Sequence, residues 1–319
     1  MVSISSELLE SGRDYPSNWV DFINWFPDNP ACLSFLQKLR RPEGFVCPRC
    51  QWKGDPYVGT RNRLLCSKCR HQTSITAGTL FEKTRTPLTC WFAAAWYITN
   101  EKHGVSAQGL QRLLGLGSYQ TAWTMLHRYR AAMVDPLRTK LSGIVEVDET
   151  YVGGVDPGNI RASDKTSKKS IVAVAVELKQ PKGFGRLRLL RLEEATQESL
   201  THFIVDNIAP GSTIRTDGSA VYHNIHEFGF QRDKQVILGS DVPAHEKLVG
   251  VHRVASLLKR WLLGTHQGSV SAGHIDAYLN EYAFRFNRRS SRSRGLLFFR
   301  LMELAVKTPP IKYTDIKMG

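Results

Sequence analysis

Residues 143–154 read GIVEVDETYVGG, an alternating run that stops at two glycines. Alternation at period two marks a strand, with Ile144, Glu146 and Asp148 on one face and Val145 and Val147 on the other. Downstream, SIVAVAVEL (170–178) and GRLRLLRLEE (185–194) read as two more strands. TQESLTHFIVDNI (196–208) then reads as an amphipathic helix and STIRTDG (212–218) as a short strand with a polar end. Three strands, a helix, a strand and further helices predict an α/β layer built on a mixed sheet. GGVDPGNIRASDKTSKK (153–169) is a basic loop between the first two strands.

Two acids stand out by position. Asp148 lies near the end of the first strand, and Asp217 ends the later one, directly before Gly218. Either acid alone reads as a turn-capping Asp, but carboxylates at the ends of adjacent strands can also converge on one metal ion. Phosphodiester transfer asks for a nucleophilic oxygen held in line and for charge neutralised on the attacking and leaving oxygens, which two Mg²⁺ ions about 4 Å apart supply. Such ions take hard oxygen ligands, Asp first among them.

The rest of the chain bears on that choice. Its 319 residues suit about two domains, and 42% hydrophobic content with 10% aromatics supplies a sizeable core. Lys and Arg total 43 against 29 Asp and Glu, a net charge of +14 with a pI near 9.6, the footprint expected of a nucleic-acid partner. The charge is clustered. Lys38 to Arg70 holds nine basic and two acidic residues, and RFNRRSSRSRGLLFFR (285–300) holds six Arg and no acid. The longest uncharged apolar run, CWFAAAWYI (90–98), is far short of the roughly 20 residues that span a bilayer. MVSISSELLESGRDYPS at the start shows no signal-peptide pattern, so a reducing cytoplasm is expected, where six cysteines do not form a disulfide framework.

Four of those cysteines, in CPRC and CSKC, put Cys47, Cys50, Cys66 and Cys69 at C-x2-C-x15-C-x2-C spacing. Each knuckle can place two thiolates on one tetrahedral ion, and the 15 intervening residues suit a short two-strand connection, which predicts a zinc ribbon holding structural Zn²⁺. Cys32 and Cys90 read as ordinary buried cysteines, and His71 is not needed as a fifth ligand. QTSITAGTLF (72–81) reads as a strand-like link, and Pro87 opens a helix. Ser106 then caps a short helix carrying Leu110, Leu113 and Leu114, Gly115 to Gly117 turn the chain, and Ser118 caps a second helix with Trp123, Leu126, Tyr129 and Met133. This is a helix-turn-helix pattern. Read as a DNA reader, its second helix would contact bases through Gln120, Thr121, Thr124 and Arg128; read otherwise, it is a helical hairpin that only packs on its neighbours.

Taken together, VEVDETYVGG (145–154), IRTDGSAVY (214–222), VHRVASLLKRWLLGTHQG (251–268) and YLNEYAFRFNRR (278–289), preceded by the two cysteine knuckles and TAGTLFEKTRTPL (76–88), resemble the DDE-type transposases of bacterial insertion sequences. More closely, they resemble the branch with an N-terminal zinc ribbon related to the eukaryotic Merlin elements. The likeness runs in order from about Phe22 to Leu304. It implies an RNase H-like catalytic domain whose first catalytic Asp lies on the first strand and whose second follows the fourth, matching Asp148 and Asp217. The third metal ligand of such enzymes lies on a following helix. It is most often Glu with Lys or Arg seven residues on, and Glu, Asn or His in this branch.

His252 matches that third position. Alone, a histidine in a basic helix reads as a surface residue. Here 34 residues separate it from Asp217, a spacing such enzymes often show. At 100° per residue, Val251, Val254, Leu258, Trp261 and Leu262 form an apolar stripe, with His252 and Lys259 about 20° apart on its flank. Glu246, before the helix, and Glu281, on a later one, compete for the role. A neutral imidazole is a softer ligand than carboxylate and favours Mn²⁺ beside Mg²⁺.

The resemblance therefore implies a transposase that binds terminal inverted repeats in double-stranded DNA and performs metal-dependent cleavage and strand transfer. Asp148, Asp217 and His252 would hold two Mg²⁺ or Mn²⁺ ions, Lys259 would meet DNA phosphate, and Arg285, Arg288, Arg289 and Arg292 would add sequence-independent phosphate contacts. The alternatives are a catalytically inactive DNA-binding regulator derived from such an enzyme and a structure-selective RNase H-like nuclease. The expected organisation is a zinc-ribbon segment (1–85), a helix-turn-helix region (86–137), the catalytic domain (138–305) and a tail (306–319). A bacterial, cytoplasmic, nucleoid-associated protein is expected, working as a homodimer or higher oligomer on DNA.

Overall fold

The computed structural model of the chain describes residues 9–59, 63–134, 138–153, 169–235, 247–268 and 270–318. These divide into two compact units, one of Met1–Asp135 with Ser290–Gly319 and one of Pro136–Arg289.

The first unit opens with helices α1 (Trp19–Trp25) and α2 (Asn29–Arg40), started by Asn18 and Asp28, whose side chains accept from Asp21 N–H and Ala31 N–H. Three short antiparallel strands follow in the order β1 (Tyr57–Val58), β2 (Arg63–Leu65) and β3 (Gln72–Ser74). The link expected over 72–81 is strand only as far as Ser74. Helix α3 (Leu88–Asn100) begins after Pro87. Helix α4 (Ala107–Leu114) is capped by Ser106 and stopped by Gly115 at φ 60, and α5 (Tyr119–Ala132) is capped by Ser118. The predicted pair of helices is thus present, with the predicted caps.

Two C-terminal helices, α9 (Arg294–Lys307) and α10 (Tyr313–Met318), belong to this unit. The expected catalytic domain, by contrast, extended to residue 305. Leu297, Phe298, Phe299, Leu301 and Met302 of α9 are buried, and Phe298 meets Phe22, Phe35, Phe92 and Trp96 at ring-centroid distances of 5.4 to 6.0 Å. Burying each such side chain is worth about 1.5–3 kcal/mol, and that gain places the helix with α2 and α3. The segments expected as separate regions 1–85 and 86–137 share this aromatic core.

The second unit is a five-stranded mixed sheet. Strands β4 (Ile144–Val152), β5 (Ser170–Leu178) and β6 (Phe184–Leu192) form an antiparallel meander. Helix α6 (Gln197–Asn207) then returns the chain to β7 (Thr213–Thr216), which pairs parallel to β4. A 3₁₀ helix (Ala220–Phe228) leads to β8 (Gln231–Lys234), parallel to β7, giving the order β6-β5-β4-β7-β8. Helices α7 (Val249–His266) and α8 (Ile275–Asn287) complete the unit. The expected mixed α/β layer is therefore present, with β8 and the 3₁₀ helix as unforeseen additions.

The sheet has a helical layer on each side. Val145, Val147, Ala173, Ala175 and Ile214 pack with Leu200, Phe203 and Ile204 of α6 and with Tyr222 and Ile225 of the 3₁₀ helix. On the opposite face, Val172, Val174 and Val176 pack with Val251, Val254 and Leu258 of α7 and with Ile275 and Leu279 of α8. Of the stripe read from the sequence, Val251, Val254, Leu258 and Leu262 are buried on α7 and Trp261 is half-buried. Asn287 ties the end of α8 to β6, accepting from Leu187 N–H at 2.6 Å and donating to its carbonyl at 3.1 Å.

Candidate active site

The parallel pairing of β4 with β7 sets Glu146 beside Arg215. Both strands run the same way, so Asp148, two residues beyond that pair on β4, and Asp217, just past the end of β7, lie toward the same end of the sheet. Val145, Val147 and Ile214 point to the α6 layer, so alternation turns Glu146, Asp148 and Arg215 toward the α7 layer, with Asp217 next in the alternation just beyond β7. Asp148 and Asp217 are both half-buried. Burial, then the nearby charges of Glu149, Asp217 and Glu146, pushes the Asp148 carboxyl up to about 7, against an opposing hydrogen bond from Glu149 N–H. Asp148 thus lies within electrostatic reach of Asp217.

The turn after β7 is held from several sides. Asp217 Oδ1 accepts from Ser219 N–H at 3.0 Å, so this acid caps its turn while standing beside Asp148. Arg232, on the unforeseen edge strand β8, donates to Thr216 Oγ1 at 3.2 Å and to the carbonyls of Asp217 and Ser219 at 3.1 and 2.8 Å. Tyr222, buried in the 3₁₀ helix, donates its hydroxyl to Glu149 Oε2 at 2.7 Å. Burial and the Glu149 carboxylate push the Tyr222 phenol far above its ordinary range, so it is a permanent donor. The Tyr222–Glu149 bond thus ties the segment after Asp217 to that of Asp148, while Arg232 holds the turn from β8.

Glu146 is 2% exposed in the middle of an apolar strand. Burying an unpartnered carboxylate costs several kcal/mol, and its partners are the first-turn amides of α7: Gly250 N–H and Val251 N–H donate to Oε2 at 2.6 and 3.0 Å. Burial raises the Glu146 carboxyl, while those two bonds and Arg215 lower it. Gly250 permits the approach, since a Cβ there would lie 2.8 Å from both Glu146 Oε2 and Val176 Cγ1. The sequence reading placed Glu146 on the face of Asp148 without a role; its signal was a charged residue between two core valines.

His252 follows directly on that anchored turn and is half-buried, with its N–H donating to Leu248 carbonyl at 3.2 Å. Lys259 stands exposed on the same helix, with Arg253 and Arg260. Glu281, the competing acid on α8, is buried and paired with Arg285 at 3.4 Å. Glu246 lies outside the described residues, as does most of the loop expected over 153–169.

Two donor sets can be tested against metal chemistry. The Sγ atoms of Cys47, Cys50, Cys66 and Cys69 all lie within 4.8 Å of one another, with Cys47–Cys69 and Cys50–Cys66 at 3.6 Å. A tetrahedral ion with Zn–S bonds of about 2.3 Å separates its sulfurs by about 3.8 Å, so this set fits zinc. The two knuckles are built alike. Gln51 N–H and Arg70 N–H close onto the carbonyls of Cys47 and Cys66 at 3.0 and 2.9 Å, with both residues at positive φ. Among the described residues no other group of three such donors closes to 4.8 Å, so Asp148, Asp217 and His252 do not converge to that limit. The Asp pair has the hard oxygens and mutual repulsion that a divalent cation relieves.

The proposed DNA contacts differ in their surroundings. Gln120 is exposed, while Thr121 is half-buried with its backbone N–H held by Ser118. Thr124 donates its hydroxyl back to Gln120 carbonyl at 2.7 Å, and Arg128 lies 5.8 Å over Trp91. Arg288 sits over Phe284, and Arg289 over Phe286, each at 3.9 Å. Arg289 also donates to the carbonyls of Phe184 and Gly185 at 2.6 and 3.2 Å, fastening α8 to the start of β6. Arg292 is exposed. Cys32 is fully buried and Cys90 half-buried. No helix among the described residues is long and apolar enough to cross a membrane.

Comparison with known proteins finds likenesses to both parts of this geometry. The chain is 27% identical over 291 residues to a Halobacterium salinarum protein described as an uncharacterized protein in transposable element ISH50, with 86% of this chain and 95% of that one covered. Among solved structures, the catalytic core domain of BIV integrase aligns with a TM-score of 0.30 and 17% identity, over 48% of this chain and 87% of that one. Residues 27–72, which hold all four knuckle cysteines, match the transposase zinc-ribbon domain, and residues 140–287, which hold the whole mixed sheet, match the ISXO2-like transposase domain. Two successive stretches of the chain are thus similar to a transposase zinc-ribbon domain and to an ISXO2-like transposase domain.

Proposed function

We propose that this protein is a transposase that binds the terminal inverted repeats of its element and catalyses DNA cleavage and strand transfer at Asp148 and Asp217. The observation that carries the reading is the parallel pairing of β4 and β7, which supports two acids at one end of adjacent strands inside a stretch that matches a transposase domain. The strand order, with Asp148 on the first strand and Asp217 after the fourth, supports an RNase H-like catalytic core.

In the reaction, water displaces the bridging oxygen at the element end and frees a 3′-OH. That 3′-OH then attacks a target phosphodiester in line, releasing the target's own 3′-oxygen, with no bond to the protein. Asp148 and Asp217 would hold two divalent ions, Mg²⁺ or Mn²⁺, with His252 as third donor from the first turn of α7. Such ions supply charge neutralisation on the attacking and leaving oxygens. Lys259, two turns further along the exposed side of α7, orients DNA through a phosphate. Arg292 contributes a sequence-independent contact, with Arg285, Arg288 and Arg289 dividing their donors between phosphate and the fold. The zinc ribbon and the α4–α5 pair read the repeats, with Gln120 and Thr121 at the N-terminus of α5 and Thr124 and Arg128 one and two turns on. Two ends must be held together for joining, so the working form is a homodimer or larger assembly on DNA.

Strand transfer of pre-cleaved ends in Mg²⁺ or Mn²⁺ tests the site. Asp148→Ala and Asp217→Ala are each expected to lower it at least about a thousandfold while end binding persists; undiminished transfer would sink the assignment. His252→Ala is expected to abolish transfer and His252→Glu to retain part of it, and full activity of the alanine variant removes His252 from the site.

A further inference from the structure

Helix α7 begins at Leu248 without a side-chain cap of its own. Its buried first-turn amides at Gly250 and Val251 are satisfied from 104 and 105 residues away, by one carboxylate oxygen of Glu146. An α-helix advances 1.5 Å per residue, so His252, next after Val251, lies within a single turn of that anchor. On the strand, Glu146 and Asp148 are two residues apart on one face, about 6.7 Å along β4. One side chain therefore links the strand bearing the first candidate ligand to the turn bearing the third. Gly250 independently marks the same contact, because any side chain at that position would drive the turn off Glu146 and Val176.

We propose that Glu146 is a positioning residue for strand transfer, acting through the N-terminus of α7 to set His252 at a fixed height against Asp148. The role rests on the transposase reading above. It assigns Glu146 no contact with DNA or with the reacting atoms, and it makes Gly250 part of the same device.

The test uses the full-length chain with Glu146→Ala, Glu146→Gln and Gly250→Ala. Three readouts are compared: amide hydrogen exchange of peptides spanning 248–256, Mn²⁺ binding followed by the spin-resonance signal of the free ion, and kcat and KM for pre-cleaved ends. Glu146→Ala should speed exchange in the first turn of α7 alone, weaken Mn²⁺ binding roughly tenfold, and lower kcat with KM for DNA unchanged. Glu146→Gln keeps an oxygen that can accept both amides and should restore most of each. Gly250→Ala keeps the carboxylate but displaces the turn, and should follow Glu146→Ala. Should the alanine variant at Glu146 fail to fold, the Gly250→Ala chain decides. Unchanged exchange and Mn²⁺ binding in either variant overturn the proposal. A fully active Glu146→Ala chain beside an inactive Asp148→Ala chain removes only the positioning role, whereas an active Asp148→Ala chain removes the catalytic site itself.

Discussion

Tyr222 shows what one side chain contributes to the acid pair. Its hydroxyl joins the 3₁₀ helix that follows Asp217 to Glu149, the neighbour of Asp148, through a bond of 2.7 Å to a carboxylate. Hydrogen bonds to charged groups are worth about 1.5–3 kcal/mol. Tyr222→Phe keeps the buried ring and deletes only that bond, so it should lower unfolding free energy by about that amount, read as a shift of the urea midpoint at constant slope. An unchanged midpoint would show that the bond contributes nothing net. Asp148 and Asp217 were legible as strand-end acids because alternation and a following glycine mark such positions. Tyr222, Arg232 and the anchoring role of Glu146 were not, because each depends on a partner between 13 and 105 residues away.

Elements show the same division between pattern and partner. GLLFFRLMELAV (295–306) is apolar enough to be buried on most sides, yet its composition does not say what covers it. In the structure α9 belongs with the N-terminal helices, and Gly295 lets the chain pass so close that a Cβ would stand 1.7 Å from the carbonyl oxygen of Pro16. Gly295→Ala must move one of two backbones and is expected to destabilise the first unit by about 1–3 kcal/mol. Denaturation by urea checks this, and a wild-type midpoint would show that the segment around Pro16 yields freely. Strand β8 escaped the sequence reading because QRDK is polar throughout and lies at the sheet edge, where no alternation is imposed.

At the scale of the whole molecule, the chain combines a four-cysteine ribbon that fits zinc with an acid-bearing sheet, and the proposed function gives the two different ions. The ribbon strands are two to three residues long, too short to stand without a centre. Structural zinc in such small sites contributes an apparent 10–16 kcal/mol that is largely folding free energy. Chelation is therefore expected to release one Zn²⁺ per chain, lower the melting temperature and weaken binding to element ends at least roughly tenfold. Stable, fully binding protein after zinc release would remove the structural role. Mg²⁺ or Mn²⁺ added back should not restore end binding, since neither suits four thiolates.

Local spacing and periodicity were enough for the zinc ribbon, the helix caps, the mixed α/β layer and the two strand-end acids. Each of these is written within a few residues or as a repeat of 2 or 3.6 residues, and the chemistry of thiolate, hydroxyl and carboxylate leaves few alternatives. Tertiary structure alone decided that β4 and β7 pair in parallel and bring both acids to one end of the sheet, that Glu146 holds the turn carrying His252, and that α9 joins the aromatic core of the first unit. Those outcomes follow from strand register and from which buried faces find one another, and both are settled by packing between segments far apart in sequence.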